Sequence, residues 1–224
     1  MGKITGMEKA NEVPQKVQQI YRAVLELIEG GADVTNLRVS SITDKAGVGK
    51  GTAYEYFDTK EEILSCAVVN HLQRTFDWLG NKLLEKESFE EQLDFLLDEM
   101  GKKDGRKFCF FRFVHILTDH SEFSQMVQQK LRSENFEPHR PLSVFRNVLQ
   151  GGVDRGELRR NLPLDYMVYC VFSHLVAYIM AITAEDDSMM DPVRMRPFVR
   201  QGILDELSVT VQTGQGTGTT VRIV

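Results

Sequence analysis

Apolar residues along this 224-residue chain recur mostly at spacings of three and four, and alternation at two is scarce, so the pattern predicts helices. Val17, Ile20, Tyr21, Val24, Leu25 and Ile28 form one stripe, stopped by Gly30-Gly31. Paired rows at Ile63/Leu64, Ala67/Val68, His71/Leu72, Thr75/Phe76 and Leu79 predict a long amphipathic helix ending near Gly80. Phe89, Leu93, Leu96, Leu97 and Met100 give another, closed by Gly101. Phe108 to Leu117 is apolar except at Arg112 and His115, as for a segment running through a helical core. Phe123, Met126, Val127 and Leu131 continue the pattern, and Leu142, Phe145, Val148 and Leu149 repeat it up to Gly151-Gly152. Pro163 opens a further helix at a favoured first-turn position, running to Thr183. Asp191-Pro192 starts the last, predicted over 192–212 and carrying Phe198, Ile203, Leu207 and Val211. The sum is an all-α chain of about nine helices.

Shorter elements occupy Leu37 to Leu64. Val39 and Ile42 point inward from one short helix, Ala46-Gly47-Val48 make a turn, and a second short helix runs from about Lys50 to Phe57. Two short helices joined by a tight glycine-containing turn are the helix-turn-helix plan, whose second helix enters the DNA major groove. Ala46 is small where the helices cross, Gly47 adopts a left-handed turn without steric cost, and Val48 plugs the space between them.

Ile42, Ala46, Gly47, Val48, Gly51, Thr52, Tyr54, Tyr56, Phe57, Lys60, Glu61 and Leu64 stand in register with the tetracycline-repressor family of bacterial regulators, which this stretch resembles. The likeness covers about 45 residues; beyond it, length, helix number and the Gly151…Gly156-Glu157-Leu158-Arg159 stretch are similar. Three positions depart from the family pattern. Gly49 stands where serine usually caps the second helix, a loss of about a few tenths of a kcal/mol. Thr43 replaces a usual alanine and Ala53 a usual large aliphatic, predicting looser packing of the wedge. The resemblance implies DNA contacts from Arg38, Lys45, Gly49, Lys50, Gly51, Thr52, Ala53, Tyr54, Tyr56 and Lys60. Phe57 reads as core, whereas Tyr56 fits core or phosphate contact equally. Lys60 in a first helical turn opposes the helix dipole, which favours a phosphate partner. Gly47-Val48-Gly49-Lys50-Gly51-Thr52 mimics a phosphate loop, but its order is broken and no strand precedes it.

Charge sharpens this picture. The chain carries −5 overall, and residues 1–60 contain eight basic and eight acidic residues, so DNA attraction must be local and modest. Arg38, Lys45, Lys50 and Lys60 cluster around the turn, while Glu26 and Glu29 lie on the preceding helix. A hydrophobic content of 42% suffices for a large core. Cys66, Cys109 and Cys170 form no C-x-x-C pair, so the composition predicts a reducing cytoplasm with neither a disulfide framework nor a zinc site, and the first twenty residues have no signal-like apolar stretch. Tyr166 to Ala184 lacks charge for nineteen positions, almost enough to span a membrane. Ser173, His174 and Thr183 interrupt it, favouring a helix buried all round in a larger core.

Catalytic motifs such as a Gly-x-Ser-x-Gly elbow or His-Glu-x-x-His are absent, which argues against an enzyme; no cofactor is implied. His115 and His120 point to different faces, and His174 stands alone in the uncharged helix. The resemblance implies that the second half encloses a ligand chamber and pairs two subunits through the last two helices. Trp78, Phe108, Phe111, Met126, Phe145, Tyr169, His174 and Tyr178 would line the chamber, or else fill a dry core. The expected organisation is a DNA-binding domain at 1–60, a ligand-binding and dimerisation domain at 61–212 and a flexible tail at 213–224. The expected function is a homodimeric regulator released from palindromic operator DNA by a hydrophobic or aromatic effector. The alternative is a helical binding protein without specific DNA recognition.

Overall fold

A computed structural model describes residues 3–8, 12–34, 36–102, 120–133, 141–183 and 191–209. Among them are nine helices: α1 (Gln15–Glu29), α2 (Val39–Ala46), α3 (Lys50–Tyr56), α4 (Lys60–Leu84), α5 (Phe89–Gly101), α6 (Glu122–Leu131), α7 (Pro141–Asp154), α8 (Leu164–Thr183) and α9 (Pro192–Leu207). The all-α reading holds. The apolar run Phe108–Leu117 and the tail 213–224 lie outside the described residues.

The headpiece forms because α1 to α3 bury a common set. Val17, Ile20, Tyr21, Val24 and Ile28 of α1 meet Ile42, Ala53, Tyr56 and Phe57, with the Tyr21 and Phe57 rings 6.1 Å apart. α4 then runs from the headpiece into the body. Its N-terminus is fixed by Thr59, whose hydroxyl accepts from the Glu62 N–H at 3.0 Å, while the Glu62 carboxylate accepts from the Asp58 N–H at 2.6 Å. The helix continues past Gly80 to Leu84. A mid-helix glycine costs only about 1 kcal/mol, and Val144 of α7 packs over it at an ordinary 3.6 Å from where a Cβ would stand.

The body closes around the far half of α4. Glu157, clamped by Arg155, accepts the Phe89 N–H at 2.8 Å and so ties the α7–α8 connection to the start of α5. Arg200 of α9 reaches Asp94 at 2.8 Å and Glu90 at 2.9 Å on α5. α8 and α9 are antiparallel, since Tyr166 bonds Glu206 and His174 packs on Gly202. α9 stops at Leu207, short of the predicted end. The Leu207 carbonyl accepts the Arg159 N–H at 2.8 Å, and Arg159 also donates to the Ser208 and Asp205 carbonyls, diverting the acceptors that would carry the helix onward. Val211 and Gln212 lie outside the described residues.

Burial of α8 differs from the sequence expectation. It is the one helix among the described residues long and apolar enough to cross a membrane. Instead of being buried all round, it exposes Tyr166, Tyr169 (68%) and Met180, and α9 adds Val193 and Phe198 (67%). Residues spaced by three and seven share a side of a helix, and the rest of the chain covers only the opposite side.

Candidate DNA interface

The wedge is built by a single backbone reversal. Gly47 takes φ 66° at the end of α2, its N–H donates to the Asp44 carbonyl at 3.2 Å, and Val48 N–H donates to Thr43 at 3.0 Å. Thr43 is buried, but its hydroxyl donates to the Val39 carbonyl at 3.0 Å, so it packs without an orphaned polar group. Gly49 caps α3 through its extended backbone, with no side chain to help. Helix α3 thus presents Lys50, Gly51 and Tyr54 to solvent, with Thr52 half-buried beside them.

Several assigned DNA residues sit elsewhere. Ala53 is completely buried and Tyr56 is 4% exposed; both face the headpiece core, because seven residues give α3 two turns and one side must hold it to α1. They are withdrawn from direct contact. Lys45 is exposed, but its ammonium pairs with Glu26 of α1 at 3.0 Å, so the supposed separation of acidic and basic groups fails there. Lys60 lies 3.4 Å from Glu61, and two acids in the same first turn supply the local charge balance that its position lacked. Arg38 and Lys50 are exposed, with no ion pair among the described residues. Lys3, which sequence reasoning passed over, arrives beside α3 by pairing with Asp58 at 2.6 Å. No local signal announced it, since the contact joins residues 55 apart.

The predicted chamber residues do not converge within the described structure. Trp78 packs at 6.0 Å from Phe95 and lines an open groove with His71, Arg74 and Thr75, about 410 Å³ in volume. Met126 lines another, of about 510 Å³, with Met7, Glu62 and Lys130. Phe145 is core. Tyr178 is buried, which pushes its phenol up from the ordinary value, and its hydroxyl lies against Gly101. His174 places Nδ1 2.9 Å from the Cys170 carbonyl and Nε2 against Gly202. Tyr169 does not join Tyr178: it lies nine positions away, hence about 180° around the helix, and points outward rather than into any chamber. Phe108 and Phe111 lie outside the described residues. Among the described residues no group of His, Cys, Asp and Glu could hold a metal.

A helix-turn-helix wedge is thus carried on a helical body by one shared helix, α4. Residues 22–66 match the model of the bacterial regulatory proteins, tetR family, so the helix-turn-helix segment is similar to that family. It is similar to the uncharacterized HTH-type transcriptional regulator YvdT of Bacillus subtilis (strain 168), 36% identical over 85 residues, 38% of this chain and 43% of that protein, so this match spans less than half of that relative. The fatty acid metabolism regulator protein of the same organism is 27% identical over 166 residues, 70% of this chain and 78% of the relative. A solved structure of the transcriptional regulator FadR from Bacillus subtilis in complex with stearoyl-CoA shares the fold, with a TM-score of 0.63, 20% identity and coverage of 84% of this chain and 97% of that one.

Proposed function

We propose that the protein is a homodimeric, ligand-responsive transcriptional regulator without catalytic activity, working in the cytoplasm as a repressor on a near-palindromic operator. The observation that carries this reading is the wedge: α3 stands proud of the core with Lys50, Thr52 and Tyr54 outward, and Arg38 exposed at the start of α2. The apolar outer side of α8 and α9 supports pairing of two copies, and a two-fold axis through it would set two wedges on successive turns of one duplex. The effector class favoured by the relatives is a long-chain acyl thioester: one relative is named for fatty acid metabolism, and a structure of the same fold holds stearoyl-CoA.

A gel shift against DNA upstream of the protein's own gene, at two salt concentrations and with or without stearoyl-CoA, tests the reading. Specific retardation that weakens with salt and is lost with the acyl thioester supports it. Equal binding to unrelated DNA at every salt concentration removes the operator. Sedimentation as a monomer at micromolar concentration removes the dimer.

A further inference from the structure

Residues 3–8 lie as a strap between the headpiece and the body. At the headpiece end, the Ile4 N–H donates to the Tyr56 carbonyl, the last residue of α3, at 3.2 Å, and the Ile4 side chain is buried. Lys3 pairs with Asp58 in the same place. At mid-strap, Gly6 adopts φ 87° and lies so close to α4 that a Cβ there would come within 2.7 Å of the Cys66 Cα. The Cys66 thiol points at the Ile4 carbonyl, 3.6 Å away, and the Asn70 amide at that of Glu8, 3.4 Å away. At the body end, Lys130 of α6 donates to the Thr5 carbonyl at 3.0 Å, and the Ser133 hydroxyl to the Met7 sulfur at 3.0 Å. Glu8 curls back to accept from the Thr5 and Gly6 amides, fixing the strap's shape.

The strap is therefore bonded to α6 through Thr5 and Met7, to the C-terminal end of α3 through Ile4, and between them to Cys66 and Asn70 on the first half of α4, so it joins α6 to α3 across α4 rather than along its length. Met126 sits four residues before Lys130, so whatever presses on α6 displaces the donor that holds Thr5. We infer that the strap is a second mechanical link, beside α4, through which the body sets the pose of the recognition helix. This rests on the DNA-binding reading above. Two routes from α6 make the wedge answer to rotation of the body helices as well as to tilt of α4, and loss of the strap leaves only the second response.

The test is a double-mutant cycle of Lys130→Met and Gly6→Ala in the full chain. Lys130→Met removes the body anchor; Gly6→Ala displaces the strap by strain and contact with Cys66. Hydrogen exchange of the Ile4 and Phe57 amides and affinity for the upstream DNA are read in all four proteins. The expected result is that Lys130→Met deprotects Ile4, more than 120 residues away, and shifts DNA affinity by about fivefold or more in the native background, yet has no further effect in Gly6→Ala. Unchanged Ile4 protection, or an equal affinity shift in both backgrounds, overturns the link. If no DNA binds in any protein, the function proposed above fails while exchange still decides: Phe57 deprotection by Lys130→Met retains the link, and its absence overturns it.

Discussion

Gly202→Ala should destabilise the protein although it replaces a mid-helix glycine with the best helix former. In an open helix the exchange gains about 1 kcal/mol. Here the new Cβ would stand 2.7 Å from Nε2 and 3.1 Å from Cδ2 of His174. The ring cannot swing freely, because Nδ1 is 2.9 Å from the Cys170 carbonyl one turn back. Either α8 and α9 separate, an overpacking cost of about 1–3 kcal/mol, or the ring leaves and forfeits a hydrogen bond of about 1 kcal/mol together with its packing. The net expectation is a loss of up to about 2 kcal/mol, a fall of up to about 8 °C in Tm for a chain of this length. Removing the obstacle reverses the sign: in a His174→Ala background, Gly202→Ala should stabilise by about 1 kcal/mol, a coupling of about 1–3 kcal/mol. Urea unfolding followed by circular dichroism at fixed protein concentration measures all four corners. A stabilising Gly202→Ala in the native background would refute the claim that the α8–α9 crossing is set by this contact.

Gly49→Ser should stabilise by about a few tenths of a kcal/mol in the same assay, because the backbone already has cap geometry and a Cβ would meet only Thr52 Oγ1 at an ordinary 3.8 Å. Arg38→Ala and Lys50→Ala should each lower the salt slope of DNA binding by about one unit, whereas Lys45→Ala should change it less, since Glu26 already neutralises that charge; fluorescence anisotropy across a salt series checks the order. Burial, helped by the carboxylates of Glu62 and Glu8 and opposed by the Lys130 ammonium, pushes the Cys66 thiol up to about 11 against 9.0 unfolded, so below pH 9 it is protonated in both states and costs nothing. As pH rises from 9 to 11 the unfolded chain alone releases this proton, and stability should fall by about 2–3 kcal/mol; urea melts at each pH should show a smaller fall in Cys66→Ala.

The headpiece was legible because its determinants are local. Ala46, Gly47 and Val48 specify the reversal within three residues, and the α1 stripe needs only a 3.6-residue period. Contacts between distant residues were not legible. Lys45 and Glu26 are brought together by the α1–α2 crossing, which no spacing rule forecasts, and that crossing changed the charge argument at the wedge. The end of α9 was misjudged for the same reason: Arg159, far back in the chain, captures its terminal carbonyls. Tyr169 was a different kind of miss. Its angular distance from Tyr178 is implicit in the sequence, but selecting residues by chemical type placed both in one chamber. Gly80 does not end α4, because a mid-helix glycine costs only about 1 kcal/mol while the helix buries Phe76, Leu79 and Leu83 on either side of it.

The cation cancelled by Glu26 also bears on how such a protein finds one address among millions. A regulator in the cell is distributed between its operator and about 10⁶–10⁹ competing stretches of DNA, and its hold on those stretches is almost wholly electrostatic. A headpiece whose basic and acidic residues balance, with Lys45 already engaged, is released quickly by every wrong sequence. Under the function proposed above, fewer copies would then be sequestered, so a small number of molecules would suffice to keep the right site occupied, and discrimination would fall to shape and base-edge contact at α3.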